Sequence, residues 1–221
     1  MSLAQQFAAY AEWRSQLGHR LDELRAWLGD NELNDAQSDL RLTQLAERLR
    51  EDRLHVAFVA EFSRGKSELI NAIFFADYGN RMLPSSAGRT TMCPTELMYD
   101  PTKAPCVELL PIETRANNAS VSEYKRFPDE WESVPLAVDS AEAMQETLRH
   151  VSEVTRVDRA TAENLGFAVD DDSLEAFHTG DDGLVEVPRW RHAIINFPHP
   201  LLKQGLVILD TPGLNAIGTE P

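Results

Sequence analysis

The stretch LHVAFVAEFSRGKSELINAIFF, residues 54–75, decides the fold. Its first seven residues are apolar with β-branched and aromatic members and charged flanks, which predicts a short buried strand. Leu69, Ile70, Ile73 and Phe74 recur at helical spacing, so a helix is expected after Lys66. Between the two lies AEFSRGKS, residues 60–67, which has the form of a phosphate-binding loop with Ala60 where the usual pattern has glycine. Such a loop works because successive backbone N–H groups point into one concavity at a helix N-terminus, where the helix dipole also favours negative charge. Here the amides of residues 62–67, and so those of Phe62, Ser63 and Arg64, would line it. Gly65 permits close backbone approach, Lys66 reaches the terminal phosphates and Ser67 offers a hydroxyl to Mg²⁺. Alanine is the smallest departure from the opening glycine and removes no charged or metal-binding group.

Working outward, LVILD (206–210) is a second apolar strand and runs into TPGLN. An aspartate at a strand's carboxyl end can hold Mg²⁺, and Gly213 can turn its N–H to a γ-phosphate with no side chain in the way. D-x-x-G alone is common and often only a turn; paired with G-K-S it is the partner expected in P-loop nucleotide hydrolases. Between them RTTMCPTEL places Thr90 and Thr91 in a polar loop. A threonine there can complete a Mg²⁺ shell when a third phosphate is present, which would order the loop. The plainer alternative is that both threonines cap a turn.

The composition bounds what else the chain does. A formal charge of -15 argues against nucleic-acid binding, which needs a surplus of Lys and Arg. Cys93 and Cys106 are too few for a disulfide framework and lack metal-ligand spacing, which suits two free thiols in a reducing cytoplasm. MSLAQQFAAYAEWRSQ has no basic region followed by an apolar core, so no signal peptide is expected. No apolar run approaches the roughly 20 residues of a membrane span.

Leu3, Phe7, Tyr10, Leu17, Leu21, Leu24 and Leu28 predict one long amphipathic helix over 3–28, broken by GDN at 29–31. Leu33, Ala36, Leu40, Leu45 and Leu49 carry a second stripe to Arg50, making residues 1–50 a helical hairpin. TELMY (95–99) and CVELL (106–110) read as two strands joined by the hairpin connection DPTKAP. Residues 112–188 hold 18 acidic against 6 basic residues, -12 of the chain's -15. They read as an acidic insertion, a solvated surface with one helix from an Asp139 N-cap to about Val154. RHAIINFP (191–198) is a further strand.

AEFSRGKSELINAI, RTTMCPTEL and LVILDTPGLN together resemble the GTPase domain of the dynamin superfamily, in particular its bacterial dynamin-like branch. The resemblance runs from about residue 51 to 221 and implies an α/β P-loop NTPase sheet, present here as its N-terminal portion. The helical pair is similar to the bundle element that precedes such domains. Thr-x-x-Pro matches on Thr91 and Pro94, and the 119 residues from Thr91 to Asp210 suit the enlarged region of that family. The resemblance implies GTP and Mg²⁺ as cofactors, Lys66 and Ser67 as phosphate and metal ligands, Thr91 as a switch, metal-binding and catalytic residue, and Asp210 and Gly213 as the second switch. Ser63 matches a loop serine that helps hold a charge-compensating monovalent cation, and Phe62 stands where eukaryotic dynamins carry a catalytic glutamine. Arg64 departs from the usual small residue and reads as pointing outward.

Self-association through the GTPase and helical regions, and peripheral contact with the inner face of a membrane through regions outside this chain, are further implications. The N/T-K-x-D motif that reads guanine is absent from these 221 residues, as are the later strands of the sheet. The chain is therefore expected to be part of a longer protein, and by itself marginal or prone to associate. Two other readings stay open: a nucleotide-sensing or non-enzymatic assembly module with a weakened loop, favoured by Ala60 and Phe62, and an ATPase.

Overall fold

The computed structural model describes residues 3–31, 33, 35–50, 53–60, 65–79, 81–83, 93–117, 119–167 and 183–211. The chain divides into two compact units, residues 1–54 with 200–206, and residues 55–199 with 207–221.

The first unit contains the expected helical hairpin, α1 (Leu3–Asp30) and α2 (Ala36–Arg50). The second helix begins three residues later than its apolar pattern suggested, because Asp35 caps it. Its Oδ1 accepts the N–H groups of Gln37 and Ser38, each at 2.9 Å. The stripe on α1 is not the buried face expected of it: Tyr10, Leu17 and Leu24 are exposed, with Trp13 and Trp27 beside them. The positions that meet α2 include Gly18, buried beside Leu49, and Arg14, which donates to the Leu49 carbonyl at 2.9 Å. Arg25 locks the hairpin through paired bonds to Asp39 at 2.9 and 3.2 Å.

In the second unit the predicted strand, loop and helix appear in order as β1 (Leu54–Phe58) and α3 (Lys66–Phe74). The remaining strands are β2 (Thr95–Met98), β3 (Cys106–Pro111), β4 (Glu132–Pro135), β5 (Val154–Val157), β6 (Val185–Pro188), β7 (Trp190–Asn196) and β8 (Leu206–Asp210). Six of them form one mixed sheet in the order β1-β8-β2-β7-β3-β4, and β5 and β6 form a separate antiparallel pair.

Two expectations about this sheet are corrected. β2 and β3 are not a hairpin: β7 lies between them, parallel to β2 and antiparallel to β3. Seven residues long and buried on both faces, β7 takes the central slot that a short hairpin would leave open. Asn196 at its end holds the DPTKAP crossing, accepting from the Asp100 N–H at 2.8 Å and donating to the carbonyls of Asp100, Lys103 and Ala104. The second correction concerns β1, which is largely exposed, with Leu54 at 40% and Val56 at 37%. It stands last in the strand order, so among the described residues only β8 flanks it.

One sheet face carries Met98, Ile194 and Val207, packed with Trp131. Just beyond β7, Phe197 packs against Phe75, which follows α3, with tilted rings whose centroids are 5.0 Å apart.

The acidic region is more than a solvated surface. It folds as α4 (Val121–Tyr124), α5 (Ala141–Arg149), α6 (Arg159–Asn164) and strands β4, β5 and β6. Ile112, Ala162, Leu165, Phe167, Val185 and Val187 make a small core of their own. The N-cap of α5 is Ser140, not Asp139: its hydroxyl accepts the Ala143 N–H at 3.2 Å. That helix ends at Arg149, and Val154, assigned above to its end, begins β5 instead.

Glu96, buried on β2, meets Lys125 at 2.6 Å and His192 at 3.4 Å. Burial pushes its carboxyl up, but the hydrogen bonds from His192 and Lys125 and the Lys125 charge outweigh that and bring it down to about 2. A carboxyl lowered on folding stabilises the fold above its ordinary value of 4.5 and loses that contribution as the pH falls toward 2. Urea titrations between pH 7 and 3 should therefore show Glu96→Gln losing less stability than the parent across this window. At pH 7 the substitution should cost roughly 1–3 kcal/mol.

Candidate phosphate-binding site

The phosphate-loop helix begins where its sequence says it should. Gly65 adopts φ 81°, ψ 21°, a left-handed conformation that side chains disfavour, and the helix starts at the next residue. A Cβ at Gly65 would meet nothing within 4 Å, so the requirement is the dihedral angle and not the room. The N-terminus of this helix, with its positive dipole end, lies at the half-buried Lys66 and Ser67.

The Lys66 ammonium donates to the Ala60 carbonyl at 3.2 Å. Ser67 reaches across 143 residues of sequence: its hydroxyl donates to Asp210 Oδ2 at 2.8 Å. Asp210 is the last residue of β8 and is 3% exposed. Its other carboxylate oxygen, Oδ1, is buried and has no hydrogen-bond partner among the described residues. Burial pushes the Asp210 carboxyl above its ordinary value, opposed by the Ser67 hydrogen bond and the Lys66 charge. A hydroxyl and an orphaned carboxylate oxygen make a hard, oxygen-only donor pair, which suits a divalent cation such as Mg²⁺.

Thr211, to which the sequence reading assigned no role, fixes this arrangement. Its hydroxyl donates to the carbonyl of Phe58, the last residue of β1, at 2.8 Å. The carboxyl ends of β1 and β8 are thereby held side by side, the end of an α/β sheet at which ligands bind. A Thr in the tripeptide after a strand is indistinguishable from a turn residue until its neighbouring strand is known.

The structure thus brings together Gly65, Lys66, Ser67 and Asp210. Phe62, Ser63, Arg64, Thr91 and Gly213 lie outside the described residues. Among the described residues no cluster of three or more His, Cys, Asp or Glu side chains could hold a metal, and no helix is long and apolar enough to cross a membrane.

A strand, a glycine-started helix with Lys-Ser in its first turn, and an aspartate at the end of the adjacent strand define a P-loop nucleotide-binding domain of mixed α/β architecture. The sequence profile described as the Dynamin family matches residues 56–220, and the chain belongs to that family, which is one of GTPases. No curated protein matches it in sequence. Two solved structures, described as an oligomerised bacterial dynamin pair that provides a mechanism for long-range sensing and tethering of membranes, are similar to it at 17% identity and a TM-score of 0.39. Each match covers 94% of this chain and 25% of the other, so the chain spans a quarter of the length of the structures it matches.

Asp210 makes a testable contribution to stability. Because its carboxyl is raised in the fold, the contribution is favourable below the ordinary value of 3.8 and is lost as the pH rises through the folded value. Asp210→Asn should therefore stabilise the ligand-free protein at pH 7 by about 1–2 kcal/mol, an advantage that shrinks toward pH 4. The same substitution should remove any Mg²⁺-dependent tightening of nucleotide binding, read by titration with and without the metal.

Proposed function

We propose that this chain provides the phosphate-handling part of a Mg²⁺-dependent GTPase. The observation that carries the reading is the bond from Ser67 to Asp210, with the second Asp210 oxygen buried and without a partner among the described residues. Residues 51–221 are assigned to the N-terminal portion of the GTPase domain, and residues 1–50 to a bundle-like helical element. The reaction is in-line attack of water on the γ-phosphorus.

In this reading Lys66 exchanges its neutral Ala60 carbonyl for the β- and γ-phosphate oxygens, a stronger charge-assisted partner. The amides of residues 62–67 and the N-terminal dipole of α3 hold negative charge where it builds up in the transition state. Ser67 and Asp210 would hold Mg²⁺, which neutralises phosphate charge when bound. Thr91 and Gly213 complete the site from the two switch segments, Ser63 aids charge compensation, and Phe62 and Arg64 contribute backbone amides. Self-association, with peripheral contact to the inner face of a membrane through other parts of the protein, is the cellular role we infer from the family.

Lys66→Ala tests the core of this reading in the intact protein. It should weaken GTP binding at least about a hundredfold and abolish turnover. Unchanged self-association together with unchanged nucleotide binding would favour a non-enzymatic assembly module. Competition between GTP and ATP for the same site decides base selectivity, and preference for ATP would overturn the GTPase assignment.

A further inference from the structure

Three hydrogen bonds join the end of β1, the first turn of α3 and the end of β8 in a closed circuit. The Thr211 hydroxyl ties β8 to β1 through the Phe58 carbonyl at 2.8 Å. The Lys66 ammonium ties α3 to the chain just beyond β1 through the Ala60 carbonyl at 3.2 Å. The Ser67 hydroxyl ties α3 to β8 through Asp210 Oδ2 at 2.8 Å. Each pair of ends is held once, and the neighbours Asp210 and Thr211 send their side chains to different partners.

The three bonds differ in what a ligand does to them. On the GTPase reading above, on which this inference rests, Lys66 leaves Ala60 for phosphate oxygens, and Ser67 and Asp210 turn to a cation. Two of the three bonds are then exchanged for ligand contacts. The third joins a neutral hydroxyl to a backbone carbonyl, and neither group has a part in holding phosphate or metal. β1 is last in the strand order and largely exposed, so burial does little to hold it in place. A cation at Asp210 and a phosphate on the loop have to meet within about 0.5 Å of the productive geometry. Threonine suits the task, because its branched Cβ restricts the direction of the hydroxyl.

We propose that Thr211 is a positioning residue for the cation: its bond to Phe58 keeps the end of β8, and with it Asp210, in register with the strand that enters the phosphate loop after the other two bonds have been given up to ligand.

A hydroxyl that only satisfied the Phe58 carbonyl would support the fold equally with and without metal, so the metal-dependent part of binding has to be isolated. The experiment uses Thr211→Val, which keeps the branched shape and removes the donor, and Thr211→Ser, which keeps the donor. Both are compared with the parent in the intact protein, at a temperature where melting curves show each fully folded. The affinity for a non-hydrolysable GTP analogue is measured with Mg²⁺ present and with the metal chelated.

In the parent, Mg²⁺ should tighten binding of the analogue. Thr211→Val should cut that gain at least about fivefold while its affinity with the metal chelated stays within about threefold of the parent. Thr211→Ser should keep the gain within about threefold. If Thr211→Val does not fold, Thr211→Ala, which removes the donor and adds no methyl group, carries the same comparison. A full gain in the variant lacking the donor overturns the proposal, as does an equal loss of affinity with and without metal, or a serine variant as impaired as valine. Asp210→Asn, measured alongside, separates the two claims. If the parent shows no Mg²⁺-dependent gain, or Asp210→Asn keeps it, the reading of the metal site falls and the proposal with it; if Asp210→Asn abolishes the gain and Thr211→Val keeps it, only the proposal falls.

Discussion

A buried carboxylate with half its hydrogen-bonding capacity unmet is the constraint around which the second unit is arranged. Asp210 is desolvated at the end of β8, and among the described residues Ser67 is the one side chain that hydrogen-bonds to its carboxylate. That contact exists only if β8 lies beside the strand leading into the phosphate loop, which is why β1 and β8 are neighbours although some 150 residues separate them. Thr211 secures the adjacency from the other direction by bonding to the last carbonyl of β1. The intervening chain is then accommodated around this pair: β2 lines β8, β7 lines β2, and the acidic segment packs beyond.

What the sequence made legible follows from how local each signal is. The β1, loop and α3 order reads directly because an apolar run, a glycine needing positive φ and a helical stripe are consecutive. Asp210 reads because LVILD is a continuous apolar run ending in a charge. The placement of β7 between β2 and β3 was not legible, since DPTKAP has the composition of a hairpin turn and only the burial of β7 on both faces overrides it. The small core of the acidic region was hidden for a related reason. Ile112, Ala162, Val185 and Val187 are scattered among charges, and a count of Asp and Glu cannot register that they meet. Thr211 escaped notice because a threonine after a strand carries no local mark of a distant backbone partner.

The exposed apolar residues form a second pattern. Leu54, Val56 and Val59 on the outer flank of the sheet, with Leu69 and Ile73 on α3, are all more than a third exposed. Strand edges with unpaired backbone and apolar side chains are normally covered, twisted away or charged. None of these devices protects β1 among the described residues: His55 is its one titratable side chain. The surface is thus one that gains from a covering strand or helix, and the first strand of the phosphate site is also the least protected one.

Of the groups gathered here the left-handed Gly65 is unstrained, because glycine takes positive φ readily, whereas the Asp210 Oδ1, buried and without a partner among the described residues, carries a desolvation cost. In the proposed reading a cation at Asp210 would offset that cost, and whatever binds the folded state alone stabilises it in proportion to the logarithm of its concentration.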